Sequence, residues 1–199
     1  MDIRTHTNPP EILKLFEQPE NNLTHYYYFK DGFTHEECDK IVNAFKDMCI
    51  RNATVFGDTV ENVRKTKIAW IPYNNTTKWI YDKILKMASE ANNTMFHLSI
   101  TNIRDLIQFG MYDSSFAGKY DEHIDIGENE FSQRKLSICV QLSDPSDYEG
   151  GDLHIRKNQT PKVKGAVSIF PSFLEHRVET VTSGTRYSLV LWLYGPSFH

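Results

Sequence analysis

The sequence predicts a mainly β domain with helices gathered ahead of the strands, an α+β arrangement in which two helices buttress a β-sandwich or jelly roll. Three observations carry this. Helical periodicity is confined to the first half of the chain. Short apolar runs broken by turn residues fill the second half. The last of those runs is apolar on one face and carries an arginine on the other.

Taken in order, residues 1–25 are polar and contain prolines, and read as an N-terminal arm. Tyr26 to Lys30 suits a first strand. Thr34 and Glu37 have capping-box spacing, in which each side chain satisfies a backbone N–H at a helix start. Cys38, Ile41, Val42, Phe45 and Met48 then follow at helical spacing and give one buried stripe. A second helix is expected from about Thr77 to Met95, with Ile80, Ile84, Met87, Ala88, Ala91 and Met95 on one face. Between the helices, the polar segment 51–65 suits a hairpin or lid leading into a strand at TKIAWIP.

From His97 onward the pattern changes to about eight short strands, in HLSIT, DLIQFGMYD, KYDEHID, KLSICVQLS, DLHIR, AVSIF, HRVETV and RYSLVLWLY. DPSDYEGGD, KGA and TSGT interrupt them as turns. Gly150 and Gly151 suit a tight turn rather than a phosphate loop, since no helix follows. His154 falls on an outer strand. Residues 26–96 thus supply helical support and a lid, and 97–199 the β core, of one domain spanning 1–199.

Bulk properties bound the function. A chain of 199 residues with 40% hydrophobic and 24% charged residues suits one globular domain. The net charge of −4 and the lack of a basic tract disfavour a nucleic-acid or anionic-membrane partner. No apolar run reaches membrane-spanning length, and the start lacks the apolar stretch of a signal peptide. Three cysteines without metal-like spacing suit a reducing compartment, so a cytoplasmic protein is expected.

In the last run, Tyr187, Leu189, Leu191 and Leu193 share one face, to be covered by the helices. Arg186, Ser188, Val190 and Trp192 share the other, pointing between the sheets. A buried arginine is costly unless an anion meets it, which points to an anionic ligand. His123 and Asp125, at i and i+2 on a strand, point the same way and can grip one ion. With His176 they make two imidazoles and a carboxylate, the set that suits non-haem iron(II). Arg186 and Ser188 follow on the next strand, where a guanidinium fork and a hydroxyl can bind the far carboxylate of a chelated acid.

Several segments resemble the 2-oxoglutarate dioxygenases, particularly their prolyl-4-hydroxylase-like branch. They are QFGMYDSSFAGKYDEHID from Gln108, RKLSICVQLS from Arg134, YEGGDL from Tyr148, GAVSIFPS from Gly165 and HRVETVTSGTRYSLVLW from His176. Upstream, VRKTKIAWIP resembles the strand before the core of oxygen-sensing prolyl hydroxylases, and DGFTHEEC the family's opening helix. The resemblance implies a double-stranded β-helix (jelly roll) fold. It implies iron(II) held by His123, Asp125 and His176, with 2-oxoglutarate as co-substrate and O2 as oxidant; ascorbate is a candidate reductant. Arg186 would pair with the distal carboxylate of 2-oxoglutarate, assisted by Ser188, and Tyr112 would hydrogen-bond the co-substrate. Trp192 would wall the pocket and Arg64 would lie near the substrate entrance. Gln141 departs from the pattern, standing where oxygen-sensing relatives carry a tyrosine that helps bind the distal carboxylate; an amide can replace that hydrogen bond.

The activity implied is hydroxylation of an unactivated C–H bond, with release of succinate and CO2, on a prolyl residue of a polypeptide. A free amino acid or other small molecule is the alternative substrate, and a non-catalytic jelly-roll binding module the alternative class. Segments 51–65 and 126–134 are placed to close over the site.

Overall fold

The computed structural model describes residues 25–49, 51–53 and 63–197. Residues 1–24 of the expected arm and 54–62 of the expected lid lie outside the described residues. In chain order the elements are β1 (Tyr27–Phe29), α1 (His35–Phe45), β2 (Arg51–Asn52), β3 (Arg64–Lys65), β4 (Lys67–Ile71), α2 (Lys78–Ala91) and β5 (Asn102–Ile103). There follow β6 (Ile107–Asp113), β7 (Lys119–His123), β8 (Arg134–Gln141), β9 (Tyr148–Gly150), β10 (Leu153–Ile155), β11 (Asn158–Gln159), β12 (Val167–Pro171), β13 (His176–Val178) and β14 (Val181–Tyr194).

Both helices form where periodicity placed them. Thr34 caps α1 in a full capping box, its hydroxyl accepting from Glu37 N and its own N–H donating to the Glu37 carboxylate. The α1 stripe buries Cys38, Ile41 and Phe45. Helix α2 buries Ile80, Tyr81, Ile84, Met87, Ala88 and Ala91. Tyr81 ties α2 to the sheet, donating to Ile71 O at 2.6 Å and accepting from Ile107 N at 3.0 Å.

Two stretches differ from expectation. After Ala91 the helix widens into a π turn, Asn92–Phe96, and ends at His97 with φ 52°. Asn92 then holds Leu98 through both backbone groups, at 2.9 Å each, so His97–Thr101 makes a helix-terminating turn instead of a strand. The TSGT interruption is no break either: β14 runs through it. Gly184, at φ +69°, lies where the strand leaves its pairing with β9, and a Cβ there would sit 2.0 Å from Asp147 O.

The strands form two antiparallel sheets. The larger runs β1-β12-β8-β14-β6-β4-β2, with β5 and β9 also paired to β14; the smaller runs β11-β10-β13-β7-β3. Leu189, Leu191 and Leu193 of β14, with Ile138 and Val140 of β8, share one core with the buried stripes of α1 and α2. The opposite face of the larger sheet meets the smaller sheet across a cavity of about 250 Å³. This is the jelly roll with helices on one outer face. No helix among the described residues is long and apolar enough to cross a membrane.

Candidate active site

The central strand β8 sorts its residues by parity. Leu136, Ile138 and Val140 enter the helix-side core, whereas Cys139 lines the inter-sheet cavity and Ser137 and Gln141 reach groups on that side. Strand β14 does the same: Val190 and Trp192 line the cavity, and Arg186 a smaller one of about 10 Å³ adjoining it. The two cavities share Cys139 and Leu153 as a wall.

His123 ends β7, Asp125 follows it, and His176 opens the neighbouring β13, directly opposite His123. Their ligand atoms all lie within 4.8 Å of one another. The Asp125 carboxylate stands 3.7 Å from His123 Nε2 and 3.4 Å from His176 Nε2. Nδ1 of His123 donates to Asp121 O at 2.8 Å, and Nδ1 of His176 to Leu174 O at 3.0 Å. A carbonyl can only accept, so each proton sits on Nδ1 and each Nε2 offers a lone pair to the centre. Ser137 donates to Asp125 Oδ2 at 2.6 Å and is itself 3.0 Å from Ser172 Oγ. The Asp125 N–H is held by Ser172 O at 2.9 Å.

Electrostatics suit a cation. Burial, then repulsion from His176, pushes His123 down to about 3. Burial alone would raise Asp125, but the two histidines and the hydrogen bond from Ser137 outweigh it and hold the carboxyl below its ordinary range. Two imidazoles and one carboxylate on one side of a cavity can hold a divalent ion and leave positions open for other ligands.

A smaller cavity lined by Arg186, Gln141 and Tyr148 adjoins this one. Arg186 is buried, with its guanidinium 5.3 Å from the Tyr112 ring centre. Its Nε donates to Gln141 Oε1 at 3.0 Å, while Nη1 is buried with no hydrogen-bond partner among the described residues. An unpaired interior guanidinium N–H is costly, and a carboxylate there would satisfy it. The residues therefore fit a metal-chelating dicarboxylate such as 2-oxoglutarate. Tyr112 lines the metal-side cavity. Ser188 is buried opposite Gly110 and Gln141 and is not among the residues lining either cavity.

Arg64 and Trp192 both line the larger cavity. Arg64 donates to Gln108 Oε1 at 2.6 Å and lies 4.5 Å from the Tyr120 ring centre. Trp192 carries the Arg134 guanidinium 4.0 Å above its ring, and Arg134 is fixed by Asp105 at 2.8 Å and Tyr194 Oη at 3.0 Å. Phe131, within the 126–134 segment, lines the same cavity. His154 pairs with Glu179 at 2.9 Å, apart from the three grouped residues. Both Gly150 and Gly151 take positive φ, as a tight turn requires.

Four contributors had escaped the sequence: Tyr120, Arg134, Ser137 and Tyr148. Ser137 was legible, since it shares parity with Cys139 on a strand whose other face, from Leu136 to Val140, is apolar. Tyr120 was not, because β7 carries a bulge. Tyr120 and His123, three apart, oppose Val178 and His176, two apart. The extra residue puts both rings on the cavity side, where unbroken alternation would separate them.

Residues 107–194 match the family model described as the 2OG-Fe(II) oxygenase superfamily. A PKHD-type hydroxylase of Prochlorococcus marinus is 43% identical over 84 residues, 40% of this chain and 38% of the relative. The chain spans about half the length, or less, of the curated relatives it matches. The fold is similar to a Trichoplax adhaerens prolyl hydroxylase solved with a hypoxia inducible factor peptide fragment, at TM-score 0.70 and 20% identity over 87% of this chain and 85% of that one. It is also similar to a Pseudomonas putida prolyl-4-hydroxylase, at TM-score 0.68 and 17% identity over 87% and 94%.

Proposed function

We propose that this chain, which carries a 2OG-Fe(II) oxygenase superfamily domain at residues 107–194, is an iron(II)- and 2-oxoglutarate-dependent dioxygenase that hydroxylates a prolyl residue within a polypeptide. One observation carries the dioxygenase assignment. A His-Asp-His cluster with its Nε2 lone pairs aimed inward lies beside a buried arginine whose Nη1 lacks an acceptor. A simple metal hydrolase or a binding module leaves that arginine unexplained.

When bound, iron(II) with 2-oxoglutarate and O2 supplies the oxidising power for C–H hydroxylation, with succinate and CO2 released. The chain supplies position and shelter. Asp121 and Leu174 carbonyls set the two imidazole tautomers, and Ser137 orients the Asp125 carboxylate. Arg186 orients the far end of the co-substrate, with Tyr112 beside it. Trp192, held by Arg134, walls the cavity that Asp125 also lines.

The polypeptide substrate is supported by the relatives' names, PKHD-type hydroxylase and prolyl hydroxylase with a peptide fragment. Trp70 and Ile124, exposed yet lining the cavity, offer an apolar rim to such a chain. Arg64 lines the same cavity, which supports a substrate-side role for it. We take residues 1–199 as one dioxygenase domain, and we place the protein in the cytoplasm, which three free cysteines support.

An anaerobic titration with iron(II) and 2-oxoglutarate tests the assignment. We expect the visible charge-transfer band of the chelate in the wild type, its loss in His176→Ala and its weakening in Arg186→Ala. Absence of the band from folded wild-type protein would overturn the assignment. A proline-containing peptide screen, read by mass increase, then tests the substrate.

A further inference from the structure

The family resemblance puts Gln141 where relatives use a tyrosine on the distal carboxylate, yet here the Gln141 amide has nothing left to donate. Its Nε2 carries two protons. One goes to Ser143 O at 3.1 Å and the other to Tyr148 Oη at 2.9 Å. Its Oε1 accepts from Arg186 Nε at 3.0 Å. The amide cannot be turned over, because Arg186 can only donate and the Ser143 carbonyl can only accept.

Tyr148 is left in the opposite condition. Its oxygen accepts from Gln141, so its own proton must go elsewhere, and among the described residues no acceptor takes it. The phenol is buried and lines the small cavity with Arg186 and Thr160. Burial raises its pKa, with Arg186 opposing, so it is protonated at neutral pH and able to donate. The nearby ammonium of Lys162 is already committed, to Gly150 O at 2.7 Å and to Asp152 at 3.4 Å, while it rests 4.4 Å from the Tyr148 ring centre. Gly151 permits the close approach: at φ +64°, a Cβ there would lie 3.1 Å from both Arg186 Cδ and Tyr148 Cε2. The space that remains, about 10 Å³, is of the order of what one water molecule needs.

We propose that Tyr148 donates the second hydrogen bond to the distal carboxylate of 2-oxoglutarate, and that Gln141 is the positioning residue that aims Tyr148 and Arg186 at it. This rests on the dioxygenase assignment above. The hydroxyl is brought from β9, the short strand that pairs with β14. The Gln141 amide bridges donor and arginine.

The test is a calorimetric titration of the Mn(II)-loaded full chain with 2-oxoglutarate and, separately, with oxalate, which chelates the metal but has no distal end. Tyr148→Phe should weaken 2-oxoglutarate about ten- to a hundredfold, the worth of a hydrogen bond to a charged group, and leave oxalate within about twofold. Gln141→Ala should weaken 2-oxoglutarate in the wild-type background and much less in the Tyr148→Phe background, since its effect passes through the hydroxyl. Unchanged 2-oxoglutarate binding in Tyr148→Phe overturns the proposal, as does an equal loss for oxalate. If the wild type binds oxalate with Mn(II) but not 2-oxoglutarate, the dioxygenase assignment itself falls, and this proposal with it.

Discussion

The Tyr120 ring lies flat on the His123 imidazole, with centroids 3.4 Å and planes 15° apart. The Arg64 guanidinium also rests on Tyr120, 4.5 Å from the ring centre, and is tied to Gln108. A candidate metal ligand is thus stacked face to face on an aromatic ring, which is itself braced by a cation from β3. Tyr120 takes no ligand position, but it fixes the plane in which His123 presents Nε2.

Removing that support should loosen the metal. We expect Tyr120→Ala to weaken Mn(II) binding about tenfold, the usual scale for groups that orient a ligand, and Tyr120→Phe to bind within about twofold of wild type. Electron paramagnetic resonance of free Mn(II) measures both. An alanine variant that binds as tightly as wild type would reduce the stack to packing alone.

Ser137 acts on the carboxylate. Its hydrogen bond to Asp125 Oδ2 is buried and supports the charged form. Ser137→Ala should lower Mn(II) affinity by about tenfold, with far-ultraviolet circular dichroism unchanged. The same variant should require higher pH for half-maximal metal binding, because one interaction that holds Asp125 ionised is gone.

Stability of the metal-free protein should depend on pH through His123. In the folded state burial and His176 push it down to about 3, against 6.5 for an ordinary histidine. Between those values the unfolded chain binds more protons than the folded one. Stability from this site is therefore full above pH 6.5 and is lost as pH falls towards 3. The depressed Asp125 adds loss in the same direction at the acid end. In chelator, the melting temperature should drop between about pH 7.5 and pH 5, and should drop less in His123→Gln. An equal drop in both proteins would assign the acid sensitivity to other groups.

Helix α1 should be separable from the chemistry. Thr34→Ala removes the hydroxyl that accepts Glu37 N, and should cost about 1 kcal/mol in urea denaturation. Binding of 2-oxoglutarate should not change, since α1 packs on the sheet face away from the cavity. A large loss of binding would show that the helix layer transmits strain to the site.

Much of this fold was legible because one physical rule governed each segment. Helical spacing in 38–45 and in 80–91 marked the two buried stripes; Met48, expected on the first, follows the end of α1 and is exposed. Alternation in 186–193 assigned the leucines to the helix side and Arg186 and Trp192 to the cavity side. Where two rules competed, local pattern failed. His97–Thr101 alternates like a strand, but the Asn92 side chain captures Leu98 and closes the helix instead. TSGT has turn composition, yet Gly184 uses its conformational freedom to carry β14 from one partner strand to another.

By itself the sequence determined which residue types lie on which face of β14: Arg186 with Trp192, and leucines opposite them, whereas Asp125 lies past the end of β7, outside the strand alternation expected for it. Face follows from a backbone repeat, and the repeat is local. Only the tertiary structure decided which distant groups meet. The β7 bulge brought Tyr120 onto His123, and the β9–β14 pairing with its Gly150–Gly151 turn set the Tyr148 hydroxyl beside Gln141 and Arg186. Such meetings depend on bulges, glycine dihedrals and sheet-to-sheet packing, which join residues far apart in the chain and leave no periodic trace in it.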